Sequence, residues 1–198
     1  MAPIMQTGSG TRVALLSHCL ANQNAKVDEY ALCPGMVTPV VAILKEFGYA
    51  IQQMPCPEMA FLGVNRWWQV KEQYDTPGFR RHCRALAHSV AGLLEARVAK
   101  GCQDLVLIGV DGSGSSAVTF TGIGPAWGGR PEDMSWEVVP GKGVWIEELE
   151  QVLAERALPL PRGFGVAMEL PGFTMEKAME EFRRFLAAGP REVSDAQQ

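Results

Sequence analysis

Two cysteines stand where a chain would present a thiol rather than bury one. Cys19 follows the apolar run Val13-Ala14-Leu15-Leu16 and sits beside His18. Cys56 stands between Pro55 and Pro57, with Glu58 two residues on. Pro55 fixes its own φ, and Pro57 pushes Cys56 toward an extended backbone, so this thiol is held stiffly. Stiffness suits a metal ligand, and a carboxylate beside a thiol suits proton transfer if the two share a cleft. Plainer uses exist: a rigid strand exit for the prolines, a solvated loop position for Glu58. A third piece, Asp111-Gly112-Ser113-Gly114-Ser115-Ser116, carries hydroxyls and backbone N–H groups of the kind that cradle an anion or polarise an oxygen. It is not a Walker motif, since no Gly-Lys-Ser/Thr follows. Trp67-Trp68, flanked by Arg66 and Lys71, is suited to stack on a planar ligand or to pack as a lid on the core.

The elements that must position these residues alternate between strand and helix. Val13–Leu16, Tyr49–Met54, Leu105–Val110 and Gly163–Glu169 read as strands, the third the clearest. Helices are expected over Thr38–Phe47, with Thr38 as N-cap, Pro39 at the first helical position and Gly48 after the end, and over Gly78–Lys100, Val144–Ala157 and Met175–Ala187. In the longest, Phe79, Cys83, Leu86, Val90, Leu93, Leu94 and Val98 form one apolar stripe. The stretches 22–35, 59–77 and 122–143 read as long connections, the last an excursion over the active face. Strands separated by helices of this length imply right-handed crossovers and a mainly parallel sheet of about four strands: an α/β, Rossmann-like three-layer sandwich. In such sheets ligands bind beyond the carboxyl ends of the strands. The segments following the first three strands should therefore be neighbours.

The chain has 198 residues, 47% of them hydrophobic, which fits one domain with a substantial core. The expected organisation is a flexible tail over 1–12, a single domain over 13–188 and a polar tail over 189–198. A net charge of −4 argues against a nucleic-acid partner. No apolar run approaches the ~18 residues of a membrane span, and the N-terminus lacks the layout of a signal peptide, so a cytoplasmic protein without a membrane partner is expected. Five cysteines, an odd count, then read as reduced thiols. Cys83 falls on the apolar stripe as core filling, Cys102 lies at the far end of the sheet, and Cys33 sits in a loop able to reach the active face.

Taken together, His18-Cys19-Leu20-Ala21-Asn22-Gln23-Asn24, Pro55-Cys56-Pro57-Glu58, Arg66-Trp67-Trp68 through Gln73-Tyr74-Asp75, and Gly109-Val110-Asp111-Gly112-Ser113 resemble the desulfidase family related to thiouracil desulfidase. The likeness runs from about Val13 to Thr121. It implies a [4Fe-4S] cluster held by three cysteines, with one iron open to the sulfur of a small thiolated compound such as a thiolated pyrimidine. Cys19 and Cys56 match two ligand positions. Glu58 matches the proton-transfer residue, and Ser113 and Ser115 match the serines of a Ser-Pro-Ser-Cys-Gly turn. Asn22, Asn24, Trp67, Trp68 and Asp111 are the candidate substrate contacts.

The third ligand position carries Ser116, with Gly114 for proline and Ala117 for glycine. Iron in such clusters is normally held by thiolate, and a serine hydroxyl is a harder and poorer ligand. Three arrangements stay open: Ser116 alkoxide on an altered cluster, Cys33 as a substitute, or loss or weakening of the cluster, which ranks first. The leading expectation is a desulfidase-like protein acting on a small sulfur-containing molecule, as a monomer or homodimer. The alternatives are a cluster-free small-molecule-binding protein using the same cleft and a thiol hydrolase with Cys19 or Cys56 as nucleophile.

Overall fold

A computed structural model describes residues 11–124 and 135–190. The expected tails lie almost wholly outside these residues, as does the middle of the 122–143 excursion. In chain order the elements are β1 (Arg12–Leu16), α1 (His18–Ala21), α2 (Thr38–Glu46), β2 (Ala50–Gln53), α3 (Pro57–Leu62), α4 (Lys71–Tyr74), α5 (Pro77–Val98) and β3 (Asp104–Val110). These are followed by β4 (Phe120–Ile123), β5 (Glu137–Pro140), α6 (Val144–Glu155), β6 (Arg162–Val166) and α7 (Met175–Ala187). Two short 3-10 turns, Gln23–Ala25 and Asp28–Tyr30, lie between α1 and α2.

Four strands form one parallel sheet in the order β2-β1-β3-β6. Side chains alternate across a strand, and the alternation divides the core in two. Val13, Leu15, Leu105 and Leu107 face a layer holding Phe79, Val90 and Leu94 of α5 and Trp145, Leu149 and Val152 of α6. Ala14, Leu16, Val106 and Ile108 face Val40, Ile43 and Leu44 of α2 and Phe182 and Leu186 of α7. Each large apolar side chain enclosed this way stabilises the fold by ~1.5–3 kcal/mol. The architecture is the expected three-layer α/β sandwich. The strand β3 is buried along its whole length, which explains the apolar run Leu105–Val110 that follows Asp104.

Local chemistry sets the boundaries. Thr76 caps α5 by accepting from the Phe79 N–H at 3.2 Å, and Pro77 occupies the first turn, where a missing N–H costs nothing. The stripe of α5 is narrower than its spacing predicts, for Leu93 is 49% exposed. Thr38 is the first residue of α2 and not its cap, a position held by Val37 without a side-chain bond. The fourth strand ends at Val166, which frees Ala167 to Glu169 as an exit loop. The 59–77 connection contains α4, and α3 begins just ahead of it. The described part of 122–143 contributes the rest of β4 and β5, which pair antiparallel.

The chain leaves β1 through α2 to reach β2 on one side and returns through α5 to β3 on the other. Strand order therefore reverses between β1 and β3, and the loops leaving these strands part over the carboxyl edge of the sheet. The turn after β3 then folds back over the sheet. Asp111 holds it there, its Oδ1 accepting from the N–H groups of Val118 and Thr119, both at 2.9 Å. A Cβ on Gly165 would lie 1.9 Å from that same Oδ1, so only glycine in β6 leaves room for the carboxylate.

Candidate functional site

The carboxyl edge of the sheet holds a cleft with about 630 Å³ of non-protein space between its walls, its mouth to solvent included. Cys19, Lys26, Val27 and Tyr30 reach it from the segment after β1. Cys56, Glu58, Arg66, Trp68 and Tyr74 come from the segment after β2. Gly112, Ser113 and Ser116 come from the turn after β3, and Glu169 from the loop after β6. The convergence of the first three loops expected from the strand pattern is present, and a fourth loop joins them.

Cys19 lies in the single turn of α1, and Cys56 precedes α3, its Sγ accepting from the Met59 N–H at 3.3 Å. Neighbouring strands carry them: Leu16 pairs with Gln53, and each cysteine follows its paired residue by three positions. Burial pushes the Cys19 thiol up to about 12, with Lys26 pulling against it. Burial, and then the charge of Glu58, pushes Cys56 upward too. Both are neutral thiols at physiological pH, poor nucleophiles by themselves. His18 is no base for Cys19: its Nδ1 lies 2.7 Å from the Gln53 amide nitrogen, and burial lowers its pKa. This geometry weighs against a thiol hydrolase.

Glu58 sits within a set of donors. Ser115 Oγ donates to Oε1 at 2.5 Å, and Arg66 Nε donates to Oε2 at 3.0 Å. The Tyr74 phenol lies beside the same carboxylate, its pKa pushed well up by burial and then by the charge of Glu58. Each nitrogen of Arg66 makes one bond within the protein, with Nη2 donating to Ala25 O at 2.7 Å and Nη1 to Gly63 O at 3.3 Å. Across the cleft Lys26 forms an ion pair with Glu169, both side chains largely buried. Burial opposes the charge of Lys26, but Glu169 beside it more than offsets that and holds the ammonium above its ordinary range.

The expected site residues divide. Cys19, Cys56, Glu58, Ser113, Ser116 and Trp68 line the cleft. Ser115 is fully buried behind the wall and acts through Glu58 and through Ser116, whose Oγ lies 2.9 Å away. Asn22, Asn24, Trp67 and Asp111 are not among the lining residues. Asn22 Oδ1 caps its own turn by accepting from Asn24 N at 3.1 Å, Trp67 is 43% exposed, and Asp111 is spent on holding the β3 turn. The turn does not present an open anion cradle. Ser115 and Ser116 N–H groups point at Ser113 Oγ, at 3.4 and 3.2 Å, and those of Gly112 and Ser113 bond Phe120 O and Val110 O.

Sequence reasoning passed over Lys26, Tyr30, Trp136 and Glu169. Trp68 packs between Tyr30 and Trp136, with ring centroids at 6.1 and 5.5 Å, which makes an aromatic wall. Glu169 follows a strand end, the same signal that marks the other three loops, but the sequence pattern carries that strand on to Glu169 while the structure ends it at Val166.

The [4Fe-4S] cluster implied by the family resemblance needs three thiolates. Cys33 does not supply the third: its Sγ bonds Met36 O at 3.4 Å, and it is absent from the lining. Ser116, which the resemblance aligns with the third ligand, has its Oγ at the end of a hydrogen-bond chain from Glu58 through Ser115. Among the described residues no three His, Cys, Asp or Glu side chains converge as a metal-binding group. Two thiols and a hydroxyl do not fit a three-cysteine cluster. No helix among the described residues is long and apolar enough to cross a membrane.

No protein-family model matches the chain, and no solved structure does. Over 104 residues it is 36% identical to an uncharacterised protein of Methanocaldococcus jannaschii, an alignment covering 52% of this chain and 66% of that protein. The chain thus spans just under two thirds of the length of this relative.

Proposed function

We propose that the chain is a desulfidase-like protein whose cleft binds a small, planar, thiolated compound without a three-cysteine cluster. The observation that carries this reading is the placement of Ser116 Oγ 2.9 Å from Ser115 Oγ, in a chain that ends on Glu58. The corner that a third ligand would take is already part of a hydrogen-bonding wall. A planar ring fits against Trp68 and Trp136, where stacking stabilises any flat ligand. Its sulfur faces Cys19 and Cys56, soft and uncharged neighbours, and a ring N–H donates to Glu58. Ser113 and Ser116 supply hydroxyls to the ligand's other edge.

Sulfur removal at an open iron is the second reading. It is favoured by the common placement of Cys19, Cys56 and Ser116 on one cleft. Cys19 and Cys56, with Ser116, would hold any such iron, which would supply a Lewis acid; the chain's own part would be to hold the ring and to accept a proton at Glu58.

Calorimetric titration of chelator-treated protein with 2-thiouracil and with uracil separates the two. Cluster-free binding predicts saturable uptake of the thiolated base, weakened about tenfold or more by Trp68→Ala, since base stacking on an aromatic side chain contributes ~1–3 kcal/mol. No uptake by iron-free protein, with uptake restored on anaerobic iron loading, would overturn it.

A further inference from the structure

We infer that the buried Lys26–Glu169 pair sets the charge selectivity of the cleft, so that it takes an uncharged ligand and rejects the same ring carrying a carboxylate. This inference rests on the small-molecule reading above. Lys26 and Arg66 are the cations among the lining residues, and Glu58 and Glu169 the carboxylates. Each cation is already matched with a carboxylate, and three of the four side chains are less than 15% exposed, with Glu169 at that value. Each nitrogen of Arg66 already donates within the protein, to Glu58, Ala25 and Gly63.

Among the described lining residues an entering anion finds no unpaired cation, and the turn after β3 offers no open donor set, because the N–H groups of Gly112, Ser113, Ser115 and Ser116 are bonded within the protein. It must either displace Glu169 from Lys26 or lie beside two largely buried carboxylates, and both cost free energy where the charges are shielded from water. Displacement is opposed by packing. Gly112 has φ +97°, and a Cβ there would sit 2.5 Å from the Cβ of Glu169, so the glutamate lies tightly against the β3 turn. An uncharged planar ligand leaves both ion pairs intact.

The probes are 2-thiouracil and 2-thioorotate, which adds one carboxylate to the same ring, titrated at mildly acidic pH where thiouracil is uncharged. Wild type is expected to prefer thiouracil by about tenfold or more, a difference of ~1.4 kcal/mol. Glu169→Gln leaves Lys26 free to meet the ligand carboxylate and should shift the ratio toward thioorotate by about tenfold. In Lys26→Gln/Glu169→Gln, where the cation is also gone, that gain should disappear. Thermal unfolding of each variant checks that it is folded, and Glu169→Ala, which frees the same cation, reads the ratio if Glu169→Gln does not fold. Equal binding of both probes by wild type, or a wild-type ratio in the folded single variants of Glu169, overturns the selectivity inference while leaving thiouracil binding in place. Binding of neither probe overturns the small-molecule reading and this inference with it.

Discussion

Ser115, fully buried in the turn after β3, donates its hydroxyl to Glu58 Oε1 at 2.5 Å across 57 positions of sequence. The bond ties the exit of one strand to the start of α3 and fixes which way the carboxylate faces. A hydrogen bond to a charged group contributes ~1.5–3 kcal/mol. Ser115→Ala should therefore lower stability by about that amount in urea unfolding and weaken ligand binding in calorimetry, although the side chain itself never meets solvent.

Arg66 takes the other oxygen of Glu58, and the two side chains are 4% and 13% exposed. Removing one member of a buried pair leaves the other charged and unmatched, at a cost of ~3–5 kcal/mol. Arg66→Met should be destabilised on that scale. Arg66→Met/Glu58→Gln should recover much of the loss, because no buried charge is left unmatched. A double variant as unstable as the single one would show that Arg66 acts through packing instead.

Gly165→Ala and Gly92→Ala should move stability in opposite directions. At Gly165 the new methyl meets the Asp111 carboxylate, and overpacking of this kind costs ~1–3 kcal/mol or more. Gly92 lies inside α5 with nothing within 4 Å of an added Cβ, where alanine gains ~0.5–1 kcal/mol. Denaturant midpoints of the two variants against wild type read both effects.

Arg80 holds the Asp75 carboxyl below its usual range, first by hydrogen bonds at 2.5 and 2.9 Å and then by its charge. A depressed carboxyl pKa contributes stability that is present above the unfolded-state value of ~3.9 and lost as pH falls through the lower folded value. Asp75→Asn should thus be less stable than wild type near neutral pH, by under ~1 kcal/mol for so exposed a pair, and the gap should close in acid below the usual aspartate range. Urea unfolding at the two pH values measures it.

Much of the fold is legible in apolar spacing. The run Leu105–Val110 and the stripe of α5 mark the elements that pack most continuously, and their order implies the parallel sheet. The sheet in turn implies the meeting of Cys19, Cys56 and Ser116. What spacing does not carry is which polar residues a turn uses up internally. Asp111 and Asn22 have the side chains of ligand contacts, yet both are consumed by backbone N–H groups a few residues away. Lys26 and Glu169 lie 143 positions apart, and only the folded sheet brings them together. Leu93 shows the same limit on the helix side: its spacing fits the stripe, but the partner layer does not extend over it.

Iron and inorganic sulfide per chain, counted after anaerobic reconstitution and desalting and set beside 2-thiouracil binding of the same sample, decide whether the cleft works without a cluster. A hydroxyl at the third corner predicts far fewer than about four irons per wild-type chain, higher retention in Ser116→Cys, and the same thiouracil affinity with and without iron. About four irons held firmly by the wild-type chain, with thiouracil bound only when they are present, would contradict it.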